Sequence, residues 1–245
     1  MKAVILAGGK GTRLLPYTKV LPKPMMPIGD KPIVEIIMDQ LSSCGFHEII
    51  MAVGHLSNVI RRHFKGKYSN GVRLSYLEEE KPLGTAGCLA LLPKPEEETL
   101  VMNGDILTSL NYAELMDYHR KKEAALTIAV SSKNVQLEFG IVRVDSNHQV
   151  IGYDEKPALP CDVSTGVYVY SPRVWNFLQP HHHLDFPALV KKLLQEGETI
   201  SAYPYQGYWK DIGTHEEYET AVQDFEEKKE IFSPQKKLLI SHELV

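Results

Sequence analysis

The chain is poor in cysteine: among 245 residues it has Cys44, Cys88 and Cys161, far apart and without a C-x-x-C pair. An odd, scattered set argues against a disulfide framework or a thiolate zinc site and suits a reducing compartment. Long apolar runs are lacking too. No stretch approaches the roughly 18 residues of a spanning helix, and the opening apolar run is too short for a signal peptide. Charge of one sign is not in excess. A net charge of −4 offers no overall attraction for nucleic acid or an anionic membrane, so any phosphate must be met by local cations. A cytoplasmic protein with no nucleic-acid or membrane partner is the expectation. Residues 231–245 show no repeat and are expected to be a C-terminal tail. With 43% hydrophobic and 24% charged residues the composition is that of a globular protein. A chain of this length can bury roughly 70–75% of its unfolded surface without a metal or disulfide.

What is present is concentrated near the N-terminus. Lys2 to Ala7 is a short run rich in Val, Ile and Leu, followed by Gly8, Gly9 and Gly11. This suits a buried parallel strand leading into a loop whose backbone N–H groups cradle phosphate. Two familiar glycine motifs fail here. The dinucleotide fingerprint G-x-G-x-x-G meets Leu14 where its third glycine should stand, and Pro16 interrupts the helix it needs. A Walker A loop needs Gly-Lys-Ser/Thr after four free positions, which is absent. The loop does carry Arg13 and Lys23, with Lys23 held between Pro22 and Pro24. Flanking prolines lower the entropy cost of placing that ammonium, and fixed Arg and Lys suit a polyphosphate.

Downstream, periodicity and punctuation predict a helix over 31–45, strands over 48–53 and 73–77 with a helix over 57–64 between them, a helix over 85–92, and a strand over 99–102. This β-α-β-α-β order predicts an α/β fold with a doubly wound, mostly parallel, Rossmann-like sheet. A helix over 111–122 follows. Strand-like runs at 125–131, 139–144, 150–154 and 163–170 then predict antiparallel additions to the sheet. Pro180-His181-His182-His183 reads as a polar loop, because adjacent side chains do not converge on one ion. A helix over 185–196 and a last helix capped by Thr214 with Glu217 close the pattern.

The run G-G-x-G-T-R-L-x-P-x-T with P-K-P resembles the signature of the sugar-phosphate nucleotidyltransferases, which make nucleotide sugars from an NTP and a sugar 1-phosphate. The resemblance extends over 1–225 through E-E-E-x-P-L-G-T-A-G (78–87), N-G-D (103–105), E-K-P (155–157) and W-x-D-I-G-T (209–214). It implies the nucleotide-diphospho-sugar transferase fold, a single domain over 1–230 with 1–124 mainly nucleotide-binding and 125–230 mainly sugar-binding, and Mg²⁺ as cofactor. Leu6, Ala7, Gly8, Gly9, Gly11, Thr12, Arg13, Lys23, Glu79, Gly84 and Thr85 would hold the nucleotide. Asn103, Gly140, Glu155, Lys156 and Thr165 would hold the sugar phosphate. Asp105 and Asp211 would hold the metal, and Arg13, Lys23, Asp105 and Lys156 would carry the catalysis. Relatives that select uracil or thymine usually carry Gln where this chain has Glu79. A carboxylate only accepts hydrogen bonds, so Glu79 fits the two adjacent donors of guanine, N1–H and the 2-amino group; Glu78 and Glu80 are its neighbours in that role. The resemblance is nearest to the mannose-1-phosphate guanylyltransferases and points to GTP with mannose 1-phosphate or a heptose 1-phosphate. The alternatives are a glucose-1-phosphate thymidylyl-, uridylyl- or cytidylyltransferase, or a non-catalytic nucleotide-sugar sensor. Many relatives assemble through a C-terminal β-helix of hexapeptide repeats that is missing from this sequence, so a homo-oligomer is left open.

Overall fold

The computed structural model describes residues 1–67, 71–79 and 81–232. Glu80 and the tail from residue 233 onward lie outside the described residues. The chain opens with β1 (Lys2–Ala7), and the glycine loop then folds into three 3₁₀ turns, Thr12–Leu14, Tyr17–Lys19 and Lys23–Met25. A small hairpin of β2 (Pro27–Ile28) and β3 (Lys31–Pro32) leads into α1 (Ile33–Ser43), β4 (Glu48–Val53), α2 (Ser57–Phe64), β5 (Arg73–Glu78) and the single turn α3 (Gly84–Gly87). Next come β6 (Thr99–Asn103), β7 (Ile106–Thr108), α4 (Tyr112–Lys122), β8 (Leu126–Gln136), β9 (Ile141–Val144), β10 (Val150–Asp154) and β11 (Ala158–Tyr170). The described chain ends with α5 (Phe186–Gln195), β12 (Ile200–Pro204), β13 (Trp209–Asp211), α6 (His215–Glu227) and α7 (Lys229–Phe232).

Among the described residues, seven strands form the main sheet in the order β12-β8-β11-β6-β1-β4-β5. β6, β1, β4 and β5 run parallel, as do β12 and β8; β11 is antiparallel to both β6 and β8 and joins the two groups. Side-chain alternation makes both faces apolar. Ala3, Ile5 and Ala7 of β1 enter one core with α1, α2, α4 and α6, while Val4 enters a second core with α5 and the α3 turn. A strand buried on both faces reads as the continuous apolar run that β1 is.

Several expectations need correction. The helix predicted over 85–92 is one α turn followed by 3₁₀ structure at Cys88–Leu91. The backbone amides of Ala86 and Gly87 donate outward to the Leu184 carbonyl at 2.9 and 2.8 Å, and any side chain at Gly87 would meet the His182 carbonyl. The approach of 182–185 thus caps the first amides of this helical segment. The run from 139 to 154 does not extend the main sheet. β9 and β10 form a separate antiparallel ribbon, and Gly140 precedes it rather than opening it. Only β8 and β11 make the antiparallel extension, and both are longer than expected. β12 was not foreseen, because Ile200–Pro204 alternates weakly and takes its identity from parallel pairing with β8. None of the described helices is long and apolar enough to cross a membrane. Cys44, Cys88 and Cys161 are free thiols.

Candidate active site

The cleft opens beyond the C-terminal ends of β1, β4, β5 and β6, the place where open α/β sheets bind ligands. Its volume is about 530 Å³. Leu6 to Lys10 come from the end of β1, Gly54 and His55 from the end of β4, Glu79 and Gly84–Thr85 from the segment after β5, and Asn103 and Asp105 from the end of β6. The loops are pressed together by backbone contacts. The Gly104 N–H donates to the Leu6 carbonyl at 2.9 Å, and the Glu79 N–H to the Val53 carbonyl at 3.3 Å.

One end of the cleft is a cation between two carboxylates. The Lys23 ammonium pairs with Asp105 Oδ2 and lies 3.3 Å from Asp211 Oδ1. The 3₁₀ turn Lys23–Met25, with Pro24, Met25 and Met26 buried, fixes the lysine stem. At Gly11 the backbone takes φ +61, a conformation that favours glycine. The Thr18 hydroxyl donates to its carbonyl at 2.8 Å, and the loop closes against the Lys23 stem. Asp211 reaches the cleft because β13 pairs antiparallel with β7, setting Asp211 opposite Ile106, next to Asp105. Burial and the neighbouring Asp105 charge raise the Asp211 carboxyl above the usual carboxylate range, against the opposing pull of Lys23. Asp105 Oδ1 is buried without a hydrogen-bond partner. An orphaned buried carboxylate oxygen is costly, and two hard oxygen donors facing one position fit a divalent cation such as Mg²⁺. Among the described residues no group of three or more acidic, His or Cys side chains converges. The remaining ligands of such an ion would have to be substrate phosphate and water, the usual manner of Mg²⁺.

The other end is acidic and turn-rich. Glu79 Oε2 accepts from the Leu83 N–H at 2.9 Å, while a side chain added at Gly8 would sit 3.1 Å from its Oε1. One carboxylate oxygen is thus held by the backbone and the other faces the glycine strand end. Glu78 is occupied elsewhere: it accepts from Ser57 at 3.2 Å and from Arg61 at 3.0 Å.

The structure brings Leu6, Ala7, Gly8, Gly9, Lys23, Glu79, Gly84, Thr85, Asn103 and Asp105 to one cleft, with Asp211 beside them. Other predicted positions lie apart from its walls. Arg13 and Thr12 are exposed, and a side chain at Gly213, two residues from Asp211, would meet the Arg13 guanidinium. Glu155 and Lys156 are exposed after β10. Glu155 accepts from the Tyr153 hydroxyl at 2.8 Å, Lys156 has φ +43 and its carbonyl accepts from Gln136 Nε2, and a side chain at Gly140 would collide with the Tyr153 hydroxyl. Gly140, Glu155 and Lys156 therefore cluster by the ribbon instead of lining the cleft. Thr165 is 2% exposed and its hydroxyl donates to the Ala129 carbonyl at 2.9 Å. Gly166, next to it, backs onto Asn103, and the Thr165 carbonyl accepts from the Trp209 indole at 2.7 Å. Lys10, His55, Cys88 and Asp185 line the cleft without having been singled out. Lys10 stands inside the glycine motif and was legible as a cation there. Burial pushes the Cys88 thiol up to about 12, so it is inert. The three histidines 181–183 are exposed on a loop, as read.

The nucleotidyl transferase family model matches residues 2–228. The chain is 33% identical over 242 residues to a UTP–glucose-1-phosphate uridylyltransferase of Synechocystis sp., covering 91% of this chain and 62% of that protein. It is 32% identical over 226 residues to a mannose-1-phosphate guanylyltransferase of Mycobacterium tuberculosis, covering 88% of this chain and 62% of that one. The chain thus spans 62% of the length of these two curated relatives. The crystal structure of HddC from Yersinia pseudotuberculosis complexed with GMP-PN superposes with a TM-score of 0.71 at 26% identity, covering 91% of this chain and 99% of that one.

Proposed function

The chain belongs to the nucleotidyl transferase family, and from that premise we propose that it joins an NTP to a sugar 1-phosphate, releasing pyrophosphate and a nucleotide sugar. The observation that carries the proposal is the Lys23–Asp105–Asp211 cluster at the mouth of the glycine loop. In this reaction a sugar-phosphate oxygen attacks the α-phosphorus and pyrophosphate leaves. The nucleophile needs little activation, because a phosphate monoester loses its second proton near pH 6 and is largely dianionic at neutral pH. No Ser-His or Cys-His pair is required. The difficulty is mutual repulsion of the reactants and charge growing on the leaving group, which fixed cations and positioning offset.

In this proposal Lys23 turns from its carboxylates toward the triphosphate, aided by Lys10, with Arg13 at the entrance. The backbone from Gly8 to Gly11 approaches the nucleotide closely. Asp105 and Asp211 would hold Mg²⁺, which supplies charge neutralisation across the reacting phosphates when bound. Residues 1–124 would form mainly the nucleotide half and 125–230 mainly the sugar half, with Asn103, backed by Gly166, at their junction and Glu155 and Lys156 on the ribbon side. Glu79, an acceptor only, supports GTP as the nucleotide, and the similarity to a mannose-1-phosphate guanylyltransferase supports mannose 1-phosphate or a heptose 1-phosphate as its partner. The similarity to a uridylyltransferase favours one alternative, UTP with glucose 1-phosphate. Pyrophosphate release across a grid of NTPs and sugar 1-phosphates with Mg²⁺ decides between them. Turnover of GTP above UTP, dTTP, CTP and ATP is expected; no turnover of any pair removes the activity.

A further inference from the structure

We propose that Asp185 is a specificity-determining residue of the nucleotide pocket, accepting a hydrogen bond from the exocyclic 2-amino group of guanine beside Glu79. The inference rests on the guanylyl reading above and extends it to a second side chain.

Asp185 occupies the N-cap position of α5, in extended backbone geometry, yet its side chain makes no capping hydrogen bond. Asp is among the best N-cap residues because its carboxylate accepts from the amides of the second or third helical residue. Here both donors are gone. The second helical residue is Pro187, which has no N–H, and the Ala188 N–H is taken by the Asp185 backbone carbonyl at 3.0 Å. The free amide of Phe186 is satisfied from outside the helix, by the Thr85 hydroxyl at 2.9 Å. The carboxylate is thereby released from its local duty and turned across to the cleft, whose wall it forms. There Oδ1 accepts weakly from the Thr85 N–H at 3.4 Å, with His183 Nε2 at 3.9 Å.

Glu79 and Asp185 thus grip the same turn, at Leu83 and at Thr85, two residues apart. Each commits one oxygen to that turn. Glu79 Oε1 and Asp185 Oδ2 remain, on two residues that both line the cleft. Two acceptors held on one turn suit two neighbouring donors, and guanine presents N1–H next to its 2-amino group. Adenine offers one donor beside an acceptor, and hypoxanthine offers N1–H alone. Gly84 makes the arrangement possible: its φ is +80, and a Cβ there would lie 2.6 Å from Asp185 Oδ1.

The test compares GTP with ITP, which lacks only the 2-amino group, in wild type and in Asp185→Asn. Asparagine can keep the Thr85 contact through its carbonyl oxygen but loses the charge. A lost hydrogen bond to a charged group corresponds to roughly 10- to 100-fold. Wild type is expected to favour GTP over ITP in kcat/KM by about that factor, and Asp185→Asn to lose that preference while the sugar-phosphate KM holds. Equal use of GTP and ITP by wild type overturns the assignment without any variant. Parallel losses for GTP and ITP in Asp185→Asn also overturn it, since that is what a purely structural contact would give. Wild-type turnover of UTP or dTTP with none of GTP overturns the guanine reading and the Asp185 assignment together.

Discussion

Lys23, Asp105 and Asp211 come from three separate stretches of chain, and each explains the others. An ammonium 12% exposed beside carboxylates 19% and 40% exposed is held by charge where solvent screening is weakened. Burial, and then the facing Asp105 charge, raise the Asp211 carboxyl even with Lys23 between them. Asp105→Asn removes the charge whose Oδ1 is left unpartnered while keeping the volume. Its kcat is expected to fall at least about 100-fold, the scale of losing one preorganised electrostatic contact, with an unchanged circular dichroism spectrum. Near-normal turnover would take Asp105 out of the chemistry. Glu79→Gln tests the base end. The amide oxygen can still accept from Leu83 while its NH₂ donates into the cleft, so the ratio of kcat/KM for UTP to that for GTP is expected to rise by about 10-fold or more. A ratio that does not move would mean that the base is read elsewhere.

At the scale of elements, the packing of α4 against the sheet depends on a histidine with no catalytic part. His119 is 1% exposed; its Nδ1 lies 2.7 Å from the Thr127 hydroxyl and its Nε2 3.0 Å from the Ser171 hydroxyl, which donates to the Ala124 carbonyl. One ring nitrogen donates and the other accepts, so the neutral form is fully satisfied. Burial lowers its pKa from 6.5 to about 4. In the unfolded chain the ring protonates below 6.5, whereas in the folded protein it stays neutral down to about 4. The unfolded state therefore binds more protons across that window, and stability falls as pH drops from 6.5 to 4, by up to about 3 kcal/mol from this residue. Urea melts of wild type and His119→Gln should diverge in slope between pH 6.5 and 4 and run parallel above 7; parallel curves throughout would contradict the buried neutral form. At α6, Thr214 caps as its sequence predicts, accepting from the Glu217 N–H at 3.3 Å. The Glu217 carboxylate accepts from the Thr214 hydroxyl at 3.0 Å, so the capping pair meets through side chains.

For the whole molecule, apolar layers on both faces of a seven-stranded sheet hold the described fold, and the site sits beyond its strand ends as a set of loops. Stability and catalysis are therefore separable. Chelation with EDTA is expected to stop turnover while shifting Tm by no more than about 2 °C, because a weakly held ion contributes little through mass action. A Tm drop of 10 °C on chelation would make the metal a structural one.

The sequence by itself determined the parallel nucleotide half, since β1, β4, β5 and β6 are apolar runs bounded by glycine and polar turns, and local pattern suffices for strands buried on both faces. It also determined the family, through motifs whose spacing is written in the chain, and most of the cleft residues that those motifs contain. Tertiary structure decided the rest. The helix expected after Gly84 became an α turn continued by 3₁₀ structure, with its first amides bonded to a carbonyl about a hundred positions later. Thr165 was turned inward by a carbonyl of β8. Asp185 lines the cleft with its side chain off the helix end, because Pro187 and its own backbone carbonyl removed its local partners. In the first two cases the deciding donor or acceptor lies outside the reach of local pattern, and its position is set only when the two cores close on the sheet.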